Sequence, residues 1–223
     1  MNNIVKETLD ARYTIPAAPL DNVWLNGALR EVMDRLDAMM PRFTNTFPAA
    51  AAVNGTYPAV EKVDWTEGFW VGMLWLAYEA TGDNKYRKVA EGLLPKFRTR
   101  LEQKVKTNTH DLGFLYSLSC VAAWKLTGNA EARSSALWAA DLLYERYNRT
   151  AGIVQAWGAL DDPAKQGRMI IDCNLNLPLL FRAAEETGVQ WYAEAAKDHL
   201  RHAMRYLVRP DASTYHTYFM DVH

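Results

Sequence analysis

In 223 residues, 49% of them hydrophobic and eight of them Trp, there is material for one large domain or two small ones with a substantial core. The 25 Lys and Arg nearly cancel the 26 Asp and Glu, which excludes a chain-wide field for nucleic acid or an anionic membrane. Cys120 and Cys173 stand far apart and at no metal-ligand spacing, so they read as reduced, buried thiols and not as a disulfide scaffold or a zinc site.

The N-terminal stretch MNNIVKETLDARYTIPAAP has neither an apolar signal core nor a small-residue cleavage site, and no apolar run approaches the ~18 residues that span a bilayer. The chain is therefore expected to be soluble and cytoplasmic, with no membrane partner. Residues 1–20 read as an arm ending in Pro16 and Pro19, and residues 21–223 as one domain. Asp21 can cap an amphipathic helix that Pro41 stops, and the Ala-, Thr- and Pro-rich segment from Phe43 to Lys62 reads as a loop.

A pattern then repeats. Gly68 to Tyr78 carries no charge, Thr81-Gly82 stops it, and Asn84 to Leu101 is amphipathic, with Pro95 a possible kink. Leu112 to Trp124, Thr127-Gly128 and Ala130 to Tyr147 say the same again. So do Cys173 to Phe181, Thr187-Gly188 and Trp191 to Leu207, where Pro178 requires a bent or late-starting helix. Such units are helical hairpins, each burying its apolar inner helix against its neighbours. The intervals between Thr-Gly pairs, 46 and then 60 residues, are too unequal for a regular solenoid and fit a closed toroid better. No stretch beyond Gly152 to Trp157 reads as a strand. The fold class is all-α.

This pattern puts three acids in register: Asp64, Asp111 and Asp172 lie 17, 16 and 15 residues before their stops, at the start of the inner helices and on one rim. Asp is a preferred cap, so each could simply satisfy backbone N–H groups. The alternative is catalysis, since a carboxylate set in an apolar run is costly unless compensated, and paired carboxylates with separated pKa values serve glycoside cleavage. Trp65 and Trp157 could offer flat faces to sugar rings at that rim. His110 could orient Asp111 or contact substrate, whereas His199 and His202 fall on an outer helix and read as solvated. The long connection from Asn148 to Ile171 gathers at the same rim. No phosphate loop, Ser-His-Asp order or zinc motif is present.

The segments Asp64-Trp65-Thr66-Glu67-Gly68-Phe69-Trp70, Thr109-His110-Asp111-Leu112-Gly113-Phe114, Gln155-Ala156-Trp157-Gly158, Arg168-Met169-Ile170-Ile171-Asp172-Cys173, Asn176-Leu177-Pro178-Leu179-Leu180 and Tyr215-His216-Thr217-Tyr218 together resemble the unsaturated glucuronyl hydrolases, glycoside hydrolase family 88. The resemblance implies an (α/α)6 toroid and a reaction in which the C4=C5 double bond of a terminal unsaturated uronic acid in an oligosaccharide is hydrated, after which a hemiketal releases the glycosidic bond. By motif it assigns Asp172 as general acid/base and Asp111 as its carboxylate partner, with Trp65, His110, Trp157 and His216 binding substrate. Asp64 stays a cap, and no metal or organic cofactor is implied. Unsaturated rhamnogalacturonyl hydrolases, which act on pectin fragments, and a non-catalytic glycan-binding protein are the alternatives. Asn174 stands where an apolar residue is expected. Seven helices are counted where the toroid has twelve, so the 223 residues alone are expected to form an open, inactive arc with apolar surface at its edges.

Overall fold

The computed structural model describes residues 21–61 and 64–222; the arm expected over 1–20 lies outside them. Two compact units separate between Met39 and Met40. The first contains α1 (Asn22–Met39), which opens as the sequence requires: the Asp21 carboxylate accepts from Trp24 N–H at 2.7 Å.

The second unit is built from the expected hairpins: α2 (Glu67–Thr81) packs on α3 (Asn84–Glu102), α4 (Leu112–Tyr116) and α5 (Ala122–Thr127) on α6 (Ala130–Tyr144), and α7 (Pro178–Thr187) on α8 (Gln190–Tyr206). Gly82, Gly128 and Gly188 end α2, α5 and α7 at φ of 70°, 71° and 74°, and each donates its N–H four residues back. A Cβ-bearing residue would be strained at such a φ, which is why Thr-Gly works as the stop. Two expectations change in detail. The inner helix from Leu112 is not regular, because Ser117–Val121 forms a π-helical turn between α4 and α5. The helix expected from Cys173 begins only at Pro178, the first-turn position where a missing N–H costs nothing, and Ile171–Leu175 is a 3₁₀ turn. Pro95, by contrast, is carried inside a continuous α3.

Strands exceed the expectation. Phe47–Pro48 (β1) pairs with Ala59–Val60 (β2) inside the presumed loop, Tyr147–Asn148 (β3) with Ile153–Val154 (β4), and Arg168–Ile170 (β5) with Thr217–Phe219 (β6), all antiparallel. Each is two or three residues long, too short to show the period-two alternation by which a strand is read.

The core lies between the helical layers. Trp70, Val71, Leu74, Trp75 and Ala77 of α2, Leu112 to Tyr116 of α4, and Leu143, Leu179 and Leu180 are buried. Two glycines let the inner segments converge. A Cβ on Gly68 would run into the backbone of Phe114 and Leu115, and one on Gly113 into the backbone of Asn176. The start of α2 therefore touches the start of α4, and the start of α4 touches the turn that carries Asp172.

Candidate active site

That convergence leaves the first N–H groups of α4 facing the 171–175 turn. Phe114 N–H donates to the buried Asn176 Oδ1 at 2.7 Å, so a residue 62 positions away caps this helix. Asp111 occupies the N-cap position yet makes no side-chain cap bond; its Oδ2 accepts instead from Thr109 Oγ1 at 2.7 Å. The capping reading is thus set aside for Asp111. It is also set aside for Asp172, since Ile170 holds the N-cap position of its turn, and for Asp64, which lies two residues before the N-cap Thr66 and accepts from Trp65 N–H at 3.0 Å. Neither Asp111 nor Asp172 is thus spent on capping its own helix or turn.

They meet across His110. Its Nε2 lies 3.4 Å from Asp111 Oδ1 and 3.8 Å from Asp172 Oδ2, while the ring is almost wholly buried and its Nδ1 has no hydrogen-bond partner among the described residues. Burial holds the imidazole below its ordinary range, against the pull of the Asp172 charge. Burial also raises Asp111 above the usual carboxylate range, opposed by the Thr109 hydrogen bond and by the charges of Arg100 and Arg146. Asp172 is different in setting: its side chain is 41% exposed, yet Oδ1 is buried without a hydrogen-bond partner among the described residues. One acid is enclosed and tethered, the other reaches the surface. The three side chains bring one imidazole nitrogen and two carboxylate oxygens within 4.8 Å of one another, a donor set that a divalent cation or a migrating proton could both use.

The two tryptophans singled out in the sequence are both half exposed. Trp65 is 45% exposed and packs edge-on to Phe69 (6.0 Å) and against Phe114 (6.1 Å), which seats it over the first turn of α4. Trp157 is equally exposed, with the Arg168 guanidinium over its ring at 3.9 Å. Its loop joins that of His110 through Gly158 N–H to Asn108 O at 3.1 Å. His216 is exposed beside the Asp172 turn, where its carbonyl accepts from Ile171 N–H at 3.0 Å. His199 is no solvated residue. It is completely buried, accepts from Val154 N–H at Nδ1 (2.9 Å), and is pushed down to about 3 by that burial.

Several supporting residues carry no mark in the sequence. Arg100 forms a buried 3.0 Å ion pair with Glu67 and also donates to the carbonyls of Asp64 and Lys106, tying the Trp65 loop to the approach to His110. Arg146 does the same between the Trp157 loop and Asn108. The oddity at Asn174 has a cause: its amide donates to Ile171 O at 2.7 Å, closing the 3₁₀ turn. The Cys173 thiol beside Asp172 is buried and raised well above its ordinary value, hence inert.

The family model described as Glycosyl Hydrolase Family 88 matches residues 35–218. The chain is 46% identical over 182 residues to the unsaturated glucuronyl hydrolase of Bacillus sp. (strain GL1), a match covering 82% of this chain and 48% of that protein. It is 41% identical to the unsaturated chondroitin disaccharide hydrolase of Streptococcus pneumoniae, covering 87% and 49%. The solved structure of the Bacillus sp. GL1 hydrolase, described as responsible for the degradation of glycosaminoglycan, superposes with a TM-score of 0.83 at 44% identity over 87% of this chain and 52% of that one. The chain thus spans about half the length of the relatives it matches.

Proposed function

We propose, since the chain belongs to Glycosyl Hydrolase Family 88, that its site serves the hydration of the C4=C5 double bond in a terminal unsaturated uronic acid of a lyase-generated glycosaminoglycan oligosaccharide. The observation that carries this reading is the pair of carboxylates that meet across His110, neither of them spent on capping.

Asp172 is assigned as general acid/base. Its exposed side chain reaches substrate, and it delivers a proton to C4 while drawing one from the water that adds at C5, so the carboxyl group ends the step as it began. The product is a hemiketal at C5, which opens and releases the linked sugar as an alcohol. The chemistry is a hydration followed by collapse, so it does not demand the two opposed carboxylates of ordinary glycoside cleavage. Asp111, enclosed and fixed by Thr109, is assigned to hold sugar hydroxyls. A neutral His110 with its proton on Nε2 can donate toward the substrate or the two acids. Trp65, Trp157 and His216 line the approach.

The named relatives support a glucuronyl substrate over a pectin-derived one. The experiment uses this chain, alone and joined to the part of the Bacillus relative that it does not cover. Loss of the ultraviolet absorbance of an unsaturated glycosaminoglycan disaccharide is expected with the chimera. A chimera that folds yet turns over only unsaturated galacturonyl-rhamnose would move the activity to pectin fragments, and one that turns over neither would overturn the reading.

A further inference from the structure

A buried guanidinium ordinarily pairs with a carboxylate, because an uncompensated charge in the interior is costly. Arg146, directly after α6, is 2% exposed and forms no ion pair among the described residues. Its nitrogens are met instead by neutral acceptors. Nε donates to Gln155 O at 2.9 Å, Nη2 to Gly158 O at 3.0 Å and to Ala156 O, and Nη1 to Asn108 Oδ1. Arg146 O in turn accepts from Gln155 N–H at 2.8 Å. The carbonyls on both sides of Trp157 thus converge on one side chain, whose remaining arm holds the segment leading to His110. Backbone polar groups gathered like this around a cation are strained against each other without it. Among the described residues the loop is otherwise tied by Ala156 N–H to Arg168 O, Gly158 N–H to Asn108 O, Gln155 Nε2 to Ala159 O at 3.5 Å, and the cationic side chains of Arg168 and Lys165 over the Trp157 ring, none of which holds the carbonyls on both sides of Trp157 together.

We infer that Arg146 is a positioning residue for substrate binding, which acts through Trp157 by clamping residues 155–158 to Asn108. Its fork of donors is what the role needs, since three carbonyls and an amide oxygen must be reached in fixed directions. Lys, a point charge with three donors on a flexible stem, cannot reproduce it. The inference rests on the proposed function only where it concerns turnover, so its test has two arms.

In the 223-residue chain, hydrogen–deuterium exchange compares wild type with Arg146→Lys. Amides of Ala156 and Gly158 are expected to exchange about tenfold faster while those of α8 keep their protection. Unchanged protection at 155–158 would overturn the clamp. Should Arg146→Lys fail to fold, Asn108→Ala, which removes a single acceptor, must show the same local loosening or the clamp is overturned. In the chimera with the Bacillus relative, Arg146→Lys is expected to raise KM about tenfold with kcat within about twofold, and to add nothing further in a Trp157→Ala background. Independent, additive effects of the two substitutions would show that Arg146 does not act through Trp157. Absence of turnover by the unsubstituted chimera would instead defeat the hydrolase reading, leaving the exchange result to decide the clamp.

Discussion

Asp172→Asn keeps the size of the side chain and removes its proton chemistry, so it is expected to cut turnover in the chimera by roughly 10²–10⁴-fold with substrate binding retained. Steady-state kinetics alongside equilibrium binding would check it, and near wild-type turnover would remove Asp172 from the role. The cluster with His110 and Asp111 also permits a metal test. A strong chelator is expected to leave turnover unchanged; loss restored by one divalent cation would instead make the three side chains ligands. Glu67 offers a stability test. Burial raises it to about 7 despite its pairing with Arg100. The folded state then holds a proton that the unfolded chain releases near 4.5, so the contribution of Glu67 to stability is fully present below that value and is lost as pH rises toward 7. Comparing denaturant unfolding of wild type and Glu67→Gln at pH 5 and 7.5 should show this fall, up to about 3 kcal/mol, in the wild type relative to the variant.

At the scale of elements, the contact of α4 with the 171–175 turn depends on the missing Cβ of Gly113. Gly113→Ala should push the turn away from Asp111, at a cost of about 1–3 kcal/mol and a larger loss of turnover, readable as a lowered melting temperature with a disproportionate drop in kcat. Sequence periodicity revealed the hairpins because inner and outer helices differ in charge along their whole length, and Thr-Gly marks each stop. It placed Asp111 and Asp172 on one rim for the same reason. It could not reveal that Asn176 caps α4, because a cap supplied from 62 residues away leaves no local pattern. Arg100 and Arg146 were equally hidden: a basic residue on an outer helix, like Arg100, or just past the end of one, like Arg146, reads as solvated until the packing shows it turned inward. His199 failed in the same way. Of the described strands, β4 falls within the one stretch that reads as a strand, Gly152 to Trp157, whereas the others are too short to show an alternation.

Across the molecule, α2 is not enclosed on all sides, in line with the exposed apolar surface expected of these 223 residues alone. Phe69, Met73 and Leu76 are 39%, 44% and 64% exposed, a row continuous with the half-exposed Trp65. Contiguous apolar surface of this kind favours association. Light scattering of the 223-residue chain is expected to show a mass that grows with concentration, and Met73→Lys with Leu76→Lys should suppress it; a strict monomer at all concentrations would count against a sticky face. Among the described residues no helix is long and apolar enough to cross a membrane. The pairing of Arg168–Ile170 with Thr217–Phe219, continued by Ile171 N–H to His216 O and Met220 N–H to Gly167 O, has a temporal meaning as well as a spatial one. The hairpins can form from neighbours in sequence, whereas the turn bearing Asp172 is braced by residues made some fifty positions later, with α7 and α8 between. Closing so long a loop comes late in folding. Within these residues the hairpins are thus expected to form before the turn that carries the acid is braced, so that shape precedes reactive geometry.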